Sequence, residues 1–589
     1  MDSIPSQFRK NGTDSAYKQR KAYHIKQGDE WISFTYEQYY QEAVQVSQSL
    51  IKLGIQPADK ICILSFNRPE WVIADLAAMM VGGIPAGIYQ TCSPQEVQYI
   101  IHHSESKIVF VENEEQWKKV HSQKQNLPQL THIILMRGTE IDDEMTLSWD
   151  NFIAIGQDVP PQQVDDRIDS IKPSDGATFI YTSGTTGPPK AVMLCHENLT
   201  FTATNAVNLI EVKETDCALS YLPLSHIAEQ MFSIHVPIAT GSQVYFAESL
   251  EKLPENLKEV QPTVFFGVPR IWEKFYAKIT DAMTGLSGVK GVLIPWCMGV
   301  AKQVNALKNQ GREAKGFLHL KYKIANRVLT KLKARIGLSR AHMCVSGAAP
   351  ISAEILSFMS SLDIVVHEVY GQSEDCGPTS FNRPGNTKFG TVGPAFPGVQ
   401  IKIADDGEIL VKGKNVFMGY YKDPEATEKT LVDGWLHSGD LGSIDDDGFL
   451  TITGRKKEII ITAGGKNITP KNIEAALKDI SLVSQAVVIG DRRKFLSALI
   501  TLDPEATEKF VKENSITTKN FHESAVIIDY LEQQIQEMNK RFKKVENIRK
   551  FKLLPRDLTI EDKELTPTLK IKRRIVYKNW AELIESIYE

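Results

Sequence analysis

Paired cysteine is the first thing missing from this 589-residue chain. Its seven cysteines, at 62, 92, 195, 217, 297, 344 and 376, form no CxxC pair and no zinc-ligand spacing, and their odd number excludes a fully paired disulfide framework. A reduced, cytosolic setting is therefore expected. Net charge is also nearly missing: 68 Lys and Arg stand against 72 Asp and Glu, a formal net charge of -4. That balance offers no whole-protein attraction to a polyanion and argues against a nucleic-acid partner. A long apolar run is absent too. The most apolar stretch, Trp71 to Tyr89, is interrupted by Asp75, Gly82, Gly83 and Pro85, short of the roughly 20 residues that cross a membrane. Met1 to Lys10 has no apolar core behind a basic start, so no secretory signal is expected. With 42% hydrophobic and 24% charged residues, the chain has ordinary globular composition rather than that of a disordered one. Its length allows about four domains, or one large and one small.

What is present is an alternation of two periods. Short β-rich runs at Lys60 to Phe66, Lys107 to Glu112 and His132 to Met136 are separated by helical patterns, which predicts a parallel α/β sheet. One helix start is explicit: Thr35 and Gln38 suit a capping box, and Tyr40, Ala43, Val44, Ser47, Leu50 and Ile51 recur at helical spacing before Gly54. The stretch after Asn67 predicts a buried helix capped near that residue, ended by the two glycines and followed by a strand. From about Gly407, Asp-Gly pairs at 406, 433 and 447 punctuate a β-rich stretch. Asp-Pro-Glu-Ala-Thr-Glu-Lys occurs at 423 to 429 and again at 503 to 509; the flanks do not repeat, so it reads as helix-start chemistry used twice.

Gly454-Arg455-Lys456-Lys457 marks a linker that divides the chain into residues 1–454 and 455–589. The second part holds 26 basic and 20 acidic residues, net +6 on a body of net -10. A long helix is expected there over about 524 to 548, with Ile528, Leu531, Ile535, Met538, Phe542 and Val545 on one stripe and Lys540, Arg541, Lys543 and Lys544 near its end. A core-facing helix with cations at its C-terminal dipole is the favoured reading. A membrane-surface or polyphosphate patch is the minority reading, and it makes peripheral membrane contact an open alternative.

The strongest local signal is Thr182-Ser183-Gly184-Thr185-Thr186-Gly187-Pro188-Pro189-Lys190, directly after the strand-like Ala177 to Tyr181. Glycines let backbone approach a phosphate, hydroxyls add donors and Lys190 supplies a cation. The Walker A spacing is absent, and Ala191 follows the lysine where a magnesium-binding hydroxyl would stand. At this loop the chain resembles the AMP-forming, or adenylate-forming, acyl-CoA synthetases, and further motifs of that family follow in order. They are Ser346-Gly347-Ala348-Ala349-Pro350, Tyr370-Gly371-Gln372-Ser373-Glu374-Asp375, Gly434-Trp435-Leu436-His437-Ser438-Gly439-Asp440, Gly454-Arg455-Lys456-Lys457 and Leu565-Thr566-Pro567-Thr568-Leu569-Lys570. Ser373 and Ser438 replace threonines of the family pattern, and Leu569 stands where glycine commonly precedes the lysine. That last form, with Leu222 to His226 and Gly267 to Lys274, resembles the long-chain fatty acyl-CoA synthetases of the bubblegum-like branch. The match runs from about residue 15 to 580.

The resemblance implies the adenylate-forming enzyme fold: a large N-terminal body of α/β sheets plus a β-rich subdomain, and a small mobile C-terminal α+β lid. It also implies a site. Residues Thr182 to Gly187 and Lys190 would cradle phosphate, and Gly347, Ala348 and Ala349 would line an adenine pocket. Residues Tyr370 to Asp375, Asp440 and Arg455 would hold the rest of the nucleotide, with Tyr370 against adenine and Asp440 on the ribose hydroxyls. Thr182 and Glu374 would face Mg2+, and Lys570 would bridge carboxylate and nucleotide. His226 and Trp272 would lie near the acyl chain, although a packed core role fits each about as well. Lys457 stands at the family's hinge, and Gly465, in Ala463-Gly464-Gly465-Lys466, would line the CoA passage.

Elementary chemistry gives the same needs. A carboxylate has no good leaving group, and transfer of AMP from ATP supplies one; two anions must then meet, so fixed cations and a divalent metal are required. The expected reaction joins a fatty acid to CoA at the expense of ATP. One rival hands the acyl group to a carrier protein or activates another carboxylic acid. Another, of a different class, is a non-catalytic lipid binder, and such a protein should have lost Lys570, Glu374 or Asp440.

Overall fold

The computed structural model describes residues 2–138, 140–182, 188–518, 520–566 and 570–589. Its largest sheet has eight strands, in the order Gly419–Tyr420, Lys190–Cys195, Gly176–Thr182, Ile84–Ile88, Lys60–Leu64, Ile108–Val111, His132–Leu135, Thr146–Ser148. From Gly176–Thr182 onward the strands run parallel, while the first two strands pair antiparallel. The three β-rich runs read from the sequence are all strands of this sheet. Ile61, Ile63 and Leu64 are fully buried, each such side chain contributing about 1.5–3 kcal/mol.

Helix Tyr36–Lys52 opens on the expected capping box: Thr35 Oγ1 accepts from Gln38 N at 3.2 Å and Gln38 Oε1 accepts from Thr35 N at 2.8 Å. The helix after it differs in one respect. Pro69–Met80 is buried at every position except Glu70, but its N-cap is Arg68, without a side-chain cap bond. Asn67 is committed elsewhere, its amide donating to Ser220 Oγ at 2.8 Å and the Leu222 carbonyl at 2.7 Å. Gly82 and Gly83 end the helix as expected, before strand Ile84–Ile88.

Two four-stranded sheets complete the α/β body: Cys217–Ser220, Gln243–Phe246, Lys21–Gln27, Glu30–Thr35, and Val264–Gly267, Met343–Ser346, Val366–Tyr370, Ser380–Phe381. The β-rich stretch builds a further sheet on Trp435–Ile444, which pairs with Glu408–Lys412, Leu431–Val432 and Leu450–Arg455. Gly407, Gly434 and Gly448 sit at its turns with φ of 85, 75 and 84°, the left-handed region that glycine enters freely.

The C-terminal part is an α+β sandwich on strands Val483–Ile489, Leu496–Leu502 and Ile548–Leu553. Alternation decides its layers. Ala486, Val488, Ala498 and Ile500 face helices Pro470–Lys478 and Ala525–Asn539, whereas Val487, Ile489 and Leu499 face Arg573–Asn579 and Ala581–Tyr588. The long helix ends at Asn539, not near 548, and its buried stripe is Ile527, Leu531, Ile535 and Met538. Asn539 pairs by both side-chain atoms with the backbone of Ile548, at 2.9 Å each, so a strand claims the residue that would continue the helix. Val545 is exposed. Both Asp-Pro repeats are helix starts, with Asp423 accepting from Ala426 N and Asp503 from Ala506 N, each at 3.0 Å.

Helix Pro269–Thr284 of the body pairs with the lid through three ion pairs. Arg270 pairs with Asp503 at 3.3 Å, Glu273 with Lys478 at 3.5 Å, and Asp281 with Lys509. All seven cysteines are buried free thiols. Among the described residues, no helix is long and apolar enough to cross a membrane.

Candidate active site

Three strands of two sheets end at the motifs that carry the resemblance, and the C-terminal ends of strands are the general location of ligands in open α/β sheets. These ends are Thr182, Ser346 and Tyr370. After Thr182 the chain reverses to Lys190, its register partner; Ser183, Gly184, Thr185, Thr186 and Gly187 lie outside the described residues. Lys190 Nζ pairs with Asp423 at 3.0 Å and lies 4.8 Å from the centre of the Tyr420 ring.

Beyond Ser346, Gly347 packs so closely on Val369 that an added Cβ would lie 2.6 Å from Cγ1. Ala348 takes φ of 68°, a left-handed conformation uncommon outside glycine. Ala348 and Ala349 are exposed. Beyond Tyr370, an added Cβ at Gly371 would meet the Gly377 carbonyl oxygen at 1.3 Å, so backbone passes backbone where no side chain fits. A single turn, Ser373–Asp375, then presents Glu374. Asp375 faces inward: it is fully buried, accepts from Gln372 N at 2.6 Å and from the Thr379 hydroxyl, and burial pushes its carboxyl up to about 8. Its side chain holds the turn, where the resemblance implied nucleotide contact. Ser373 is likewise buried.

Asp440 is the hub. Its Oδ2 accepts from Tyr370 OH at 2.9 Å and Gln372 Nε2 at 2.6 Å, and its Oδ1 accepts from Arg455 Nε at 2.7 Å. Arg455 is the last residue of strand Leu450–Arg455, directly opposite Asp440 in register. It is therefore paired into the wall sheet, although the division read from the sequence places it at the start of the lid. Burial works to lower its pKa, and the Asp440 carboxylate more than offsets this, raising it.

Lys570 comes to this cluster from the lid. Its backbone is pinned to Thr566, with Lys570 N donating to Thr566 Oγ1 at 3.0 Å and Thr566 N donating to the Lys570 carbonyl at 2.8 Å. Lys570 keeps an exposed surface, yet the atoms gathered round its ammonium, then the charges of Arg455 and Lys471, lower it to about 8 against the pull of Asp440 and Glu374. The same charge acts on His226, which burial and then Lys570 push down to about 4. His226 is neutral near pH 7, with Nδ1 accepting from Ala228 N at 3.2 Å.

Glu374 Oε1 accepts from Tyr420 OH at 2.8 Å, while its other oxygen has no hydrogen-bond partner among the described residues. A free carboxylate oxygen beside the Thr182 end is a hard-oxygen donor of the kind Mg2+ takes when substrate phosphates and water supply its remaining ligands. Among the described residues no group of three or more His, Cys, Asp or Glu could hold a metal alone.

Next to the cluster opens an apolar cavity of ≈ 1040 Å³ of space, its mouth included. His226, Ala348, Gly371 and Gln372 stand among its lining residues. One face of helix His196–Ile210, with Thr202, Ala206, Leu209 and Ile210, runs along it, and Val212 and Asp216 follow in the chain. From Thr202 to Ile210 this face is about 12 Å long. Trp272 does not line the cavity. It is fully buried, donates Nε1–H to the Gly267 carbonyl at 2.9 Å and packs edge-on against Phe265 and Phe275, so the packed role is the one the structure gives it. Lys457 is exposed in the single turn Lys456–Glu458. Gly465 turns at φ of 70°, and a Cβ added at Gly464 or Gly465 meets nothing within 4 Å. Tyr420, Asp423 and the cavity face of His196–Ile210 went unread in the sequence. The one available signal for them was the helix start at Asp423.

Comparison with known proteins agrees with this geometry. Residues 12–421 match the family described as AMP-binding enzyme, and residues 457–589 match the AMP-binding enzyme C-terminal domain. Long-chain-fatty-acid--CoA ligase ACSBG2 of Xenopus laevis is 37% identical over 613 residues, covering 98% of this chain and 82% of that protein. Long-chain-fatty-acid--CoA ligase ACSBG1 of Rattus norvegicus is 34% identical over 609 residues, covering 97% and 84%. Among solved structures, the anthranilate CoA ligase AuaEII in complex with anthranoyl-AMP aligns with a TM-score of 0.72 at 20% identity, over 99% of this chain and 98% of that one. The A domain of carboxylic acid reductase from Segniliparus rugosus, in complex with AMP and a co-purified carboxylic acid, aligns with a TM-score of 0.76 at 18% identity, over 100% and 94%. At such identities the structural likeness concerns the fold.

Proposed function

This chain belongs to the AMP-binding enzyme family, and on that premise we propose the reaction its site performs: a long-chain fatty acid and ATP give acyl-AMP and pyrophosphate, and CoA then displaces AMP to give acyl-CoA. The observation that supports this reading is the Asp440–Arg455–Gln372 cluster standing beside an apolar cavity that Gln372 and His226 also line, with Lys570 near enough for its charge to act on both His226 and the cluster. The cavity takes an alkyl chain; the charges take the two anions.

In the first step a carboxylate oxygen attacks the α-phosphorus of ATP, and the bond to pyrophosphate breaks. Lys570 and Arg455 offset the negative charge gathered there, in a setting where few waters screen it. Asp440, oriented by Tyr370, Gln372 and Arg455, accepts from the ribose hydroxyls. Tyr420 orients Glu374, and Glu374 with Thr182 would hold Mg2+, which supplies Lewis-acid neutralisation of the phosphates. In the second step the CoA sulfur attacks the acyl carbon, AMP leaves, and the thiol proton passes to solvent. Lys570 has no part in that step, so the lid can turn about Lys457, withdraw Lys570 and bring the Gly464-Gly465 turn over the site. The division into a body of residues 1–454 and a lid of 455–589 is part of this proposal, with Arg455 on the wall and the rotating part beginning just beyond it. The buried free thiols support a reducing, cytosolic setting.

The test is carboxylate-dependent pyrophosphate release across acids from acetate to oleate, with and without CoA, with the thioester identified by mass. Thioester formation with free CoA on long acids supports the reading. Acyl-AMP without CoA thioester would transfer it to a carrier-protein acceptor, and no pyrophosphate release on any acid would leave the non-catalytic lipid binder.

A further inference from the structure

The most concentrated charge in the chain lies far from its basic tail. Residues 288–340 hold twelve Lys and Arg and a single carboxylate, Glu313. That stretch is net +11 in a chain of net -4, and it forms an antiparallel pair of helices, Gly288–Lys308 and Gly316–Arg335. Among the described residues one of these cations, Lys333, is paired with a carboxylate, Asp363 at 3.1 Å. The others have no carboxylate partner.

The same hairpin carries half of the large apolar side chains that the protein leaves exposed. The first helix buries Ile294, Cys297, Ala301 and Val304 against the body and turns Val289, Val292, Leu293 and Trp296 outward. The second packs through Ala325 and Leu329, and exposes Phe317, Leu320 and Ile324. Val289 is 80% exposed, Val292 75% and Phe317 70%, far beyond what scattered surface residues need. Spacing gives the pattern meaning. Phe317, Leu320, Ile324, Arg327 and Lys331 follow one another at three- and four-residue steps, so one outer stripe passes from apolar to basic along a single helix.

We propose that this hairpin is a docking surface for an anionic lipid bilayer, with the apolar side chains entering the interface and the lysines and arginines meeting lipid phosphates. Charge alone would suit any polyanion; the exposed Trp296, Phe317 and Leu320 are what favour lipid, since an amphipathic helix with a basic face and apolar side chains lies in the headgroup region. The surface belongs to a different segment from the Lys540 to Lys544 cluster, which the sequence reading offered as a membrane patch. That cluster has little exposed apolar surface beside it except Val545.

The full chain is to be sedimented with vesicles of phosphatidylcholine alone and of phosphatidylcholine mixed with phosphatidylserine. Binding is expected to the mixed vesicles and to weaken as salt is raised. Each interfacial cation contributes roughly a 5-fold factor in affinity, so Lys323→Gln, Arg327→Gln and Lys331→Gln together should weaken binding on the order of 100-fold. Trp296→Ser with Phe317→Ser and Leu320→Ser should weaken it at least about 10-fold. Both triple variants should release pyrophosphate from octanoate at the unaltered rate, which shows that they fold. Equal binding to neutral vesicles, or vesicle binding untouched by the hairpin variants but lost with Lys540→Gln, Lys543→Gln and Lys544→Gln, overturns the proposal. Binding to duplex DNA or RNA as tight as to the mixed vesicles, and indifferent to the apolar substitutions, would make the surface a nucleic-acid site instead.

Discussion

Ala206 is the residue through which the cavity can be measured. It lies on helix His196–Ile210 one turn after Thr202 and about one turn before Leu209 and Ile210, all of which line the cavity. Replacing it by phenylalanine fills the middle of the passage from a rigid helix and leaves the nucleotide side untouched. A buried methylene contributes about 0.8 kcal/mol, a factor of roughly 4 in affinity. If the ring displaces the last four or so methylenes of a long acid, about 3 kcal/mol is lost, on the order of 200-fold in kcat/KM. The ring grows into empty space, so the overpacking cost of a filled core does not apply in full. The assay is pyrophosphate release with saturating ATP and CoA for acids of graded length. Stearate and oleate should fall steeply, octanoate should change less than about 2-fold, and the optimum should move to shorter chains. A uniform loss across all lengths, or none at any, would show that the chain does not run along this helix.

Lys570→Ala should lower acyl-AMP formation by orders of magnitude and leave thioester formation from supplied acyl-AMP much less affected; equal losses in both would count against it. Because the Lys570 ammonium is held near 8, kcat/KM for the first step should fall about tenfold per pH unit above that point, and Lys570→Arg should remove this limb. By linkage, a lysine depressed below its ordinary 10.5 makes this lid pose gain stability as pH rises from about 8 to 10.5, where the folded form binds fewer protons. Gly464→Leu, where a side chain meets nothing in the present pose, should spare pyrophosphate release and block the CoA step. Retention of both steps would dismiss the passage. Gly371→Ala must push backbone from backbone at the Gly377 carbonyl, so thermal unfolding should shift downward and adenylation should be lost; an unshifted melting curve would refute the contact.

What the sequence made legible is local: the capping box of Thr35 and Gln38, and the ordered motifs that carry the family resemblance. What tertiary structure decides was not legible. Asn67 looks like an N-cap until Ser220 and Leu222 take its amide, and the helix that should run to 548 stops where Ile548 claims Asn539. Asp375 and Glu374 are neighbours of equal chemistry, and burial alone makes Asp375 the brace of the turn while Glu374 keeps an oxygen free among the described residues. The face of His196–Ile210 shows core periodicity in the sequence because a cavity wall and a core wall need the same residues. Trp272 went the other way, an aromatic near the site that turned out to be packed. The charge of residues 288–340 was countable in advance, but which of its apolar side chains lie outside was not.

Arg270, Glu273 and Asp281 share one helix, and with Asp503, Lys478 and Lys509 they form an electrostatic clasp between body and lid. These partners are open to solvent, and dissolved ions weaken such contacts far more than they weaken the sheltered Asp440–Arg455 pair. On the proposed lid rotation, ionic strength should therefore act as a throttle between the half-reactions: dilute buffer should keep the clasp shut and favour activation of the acid, and a saltier medium should release it and speed the handover to the thiol.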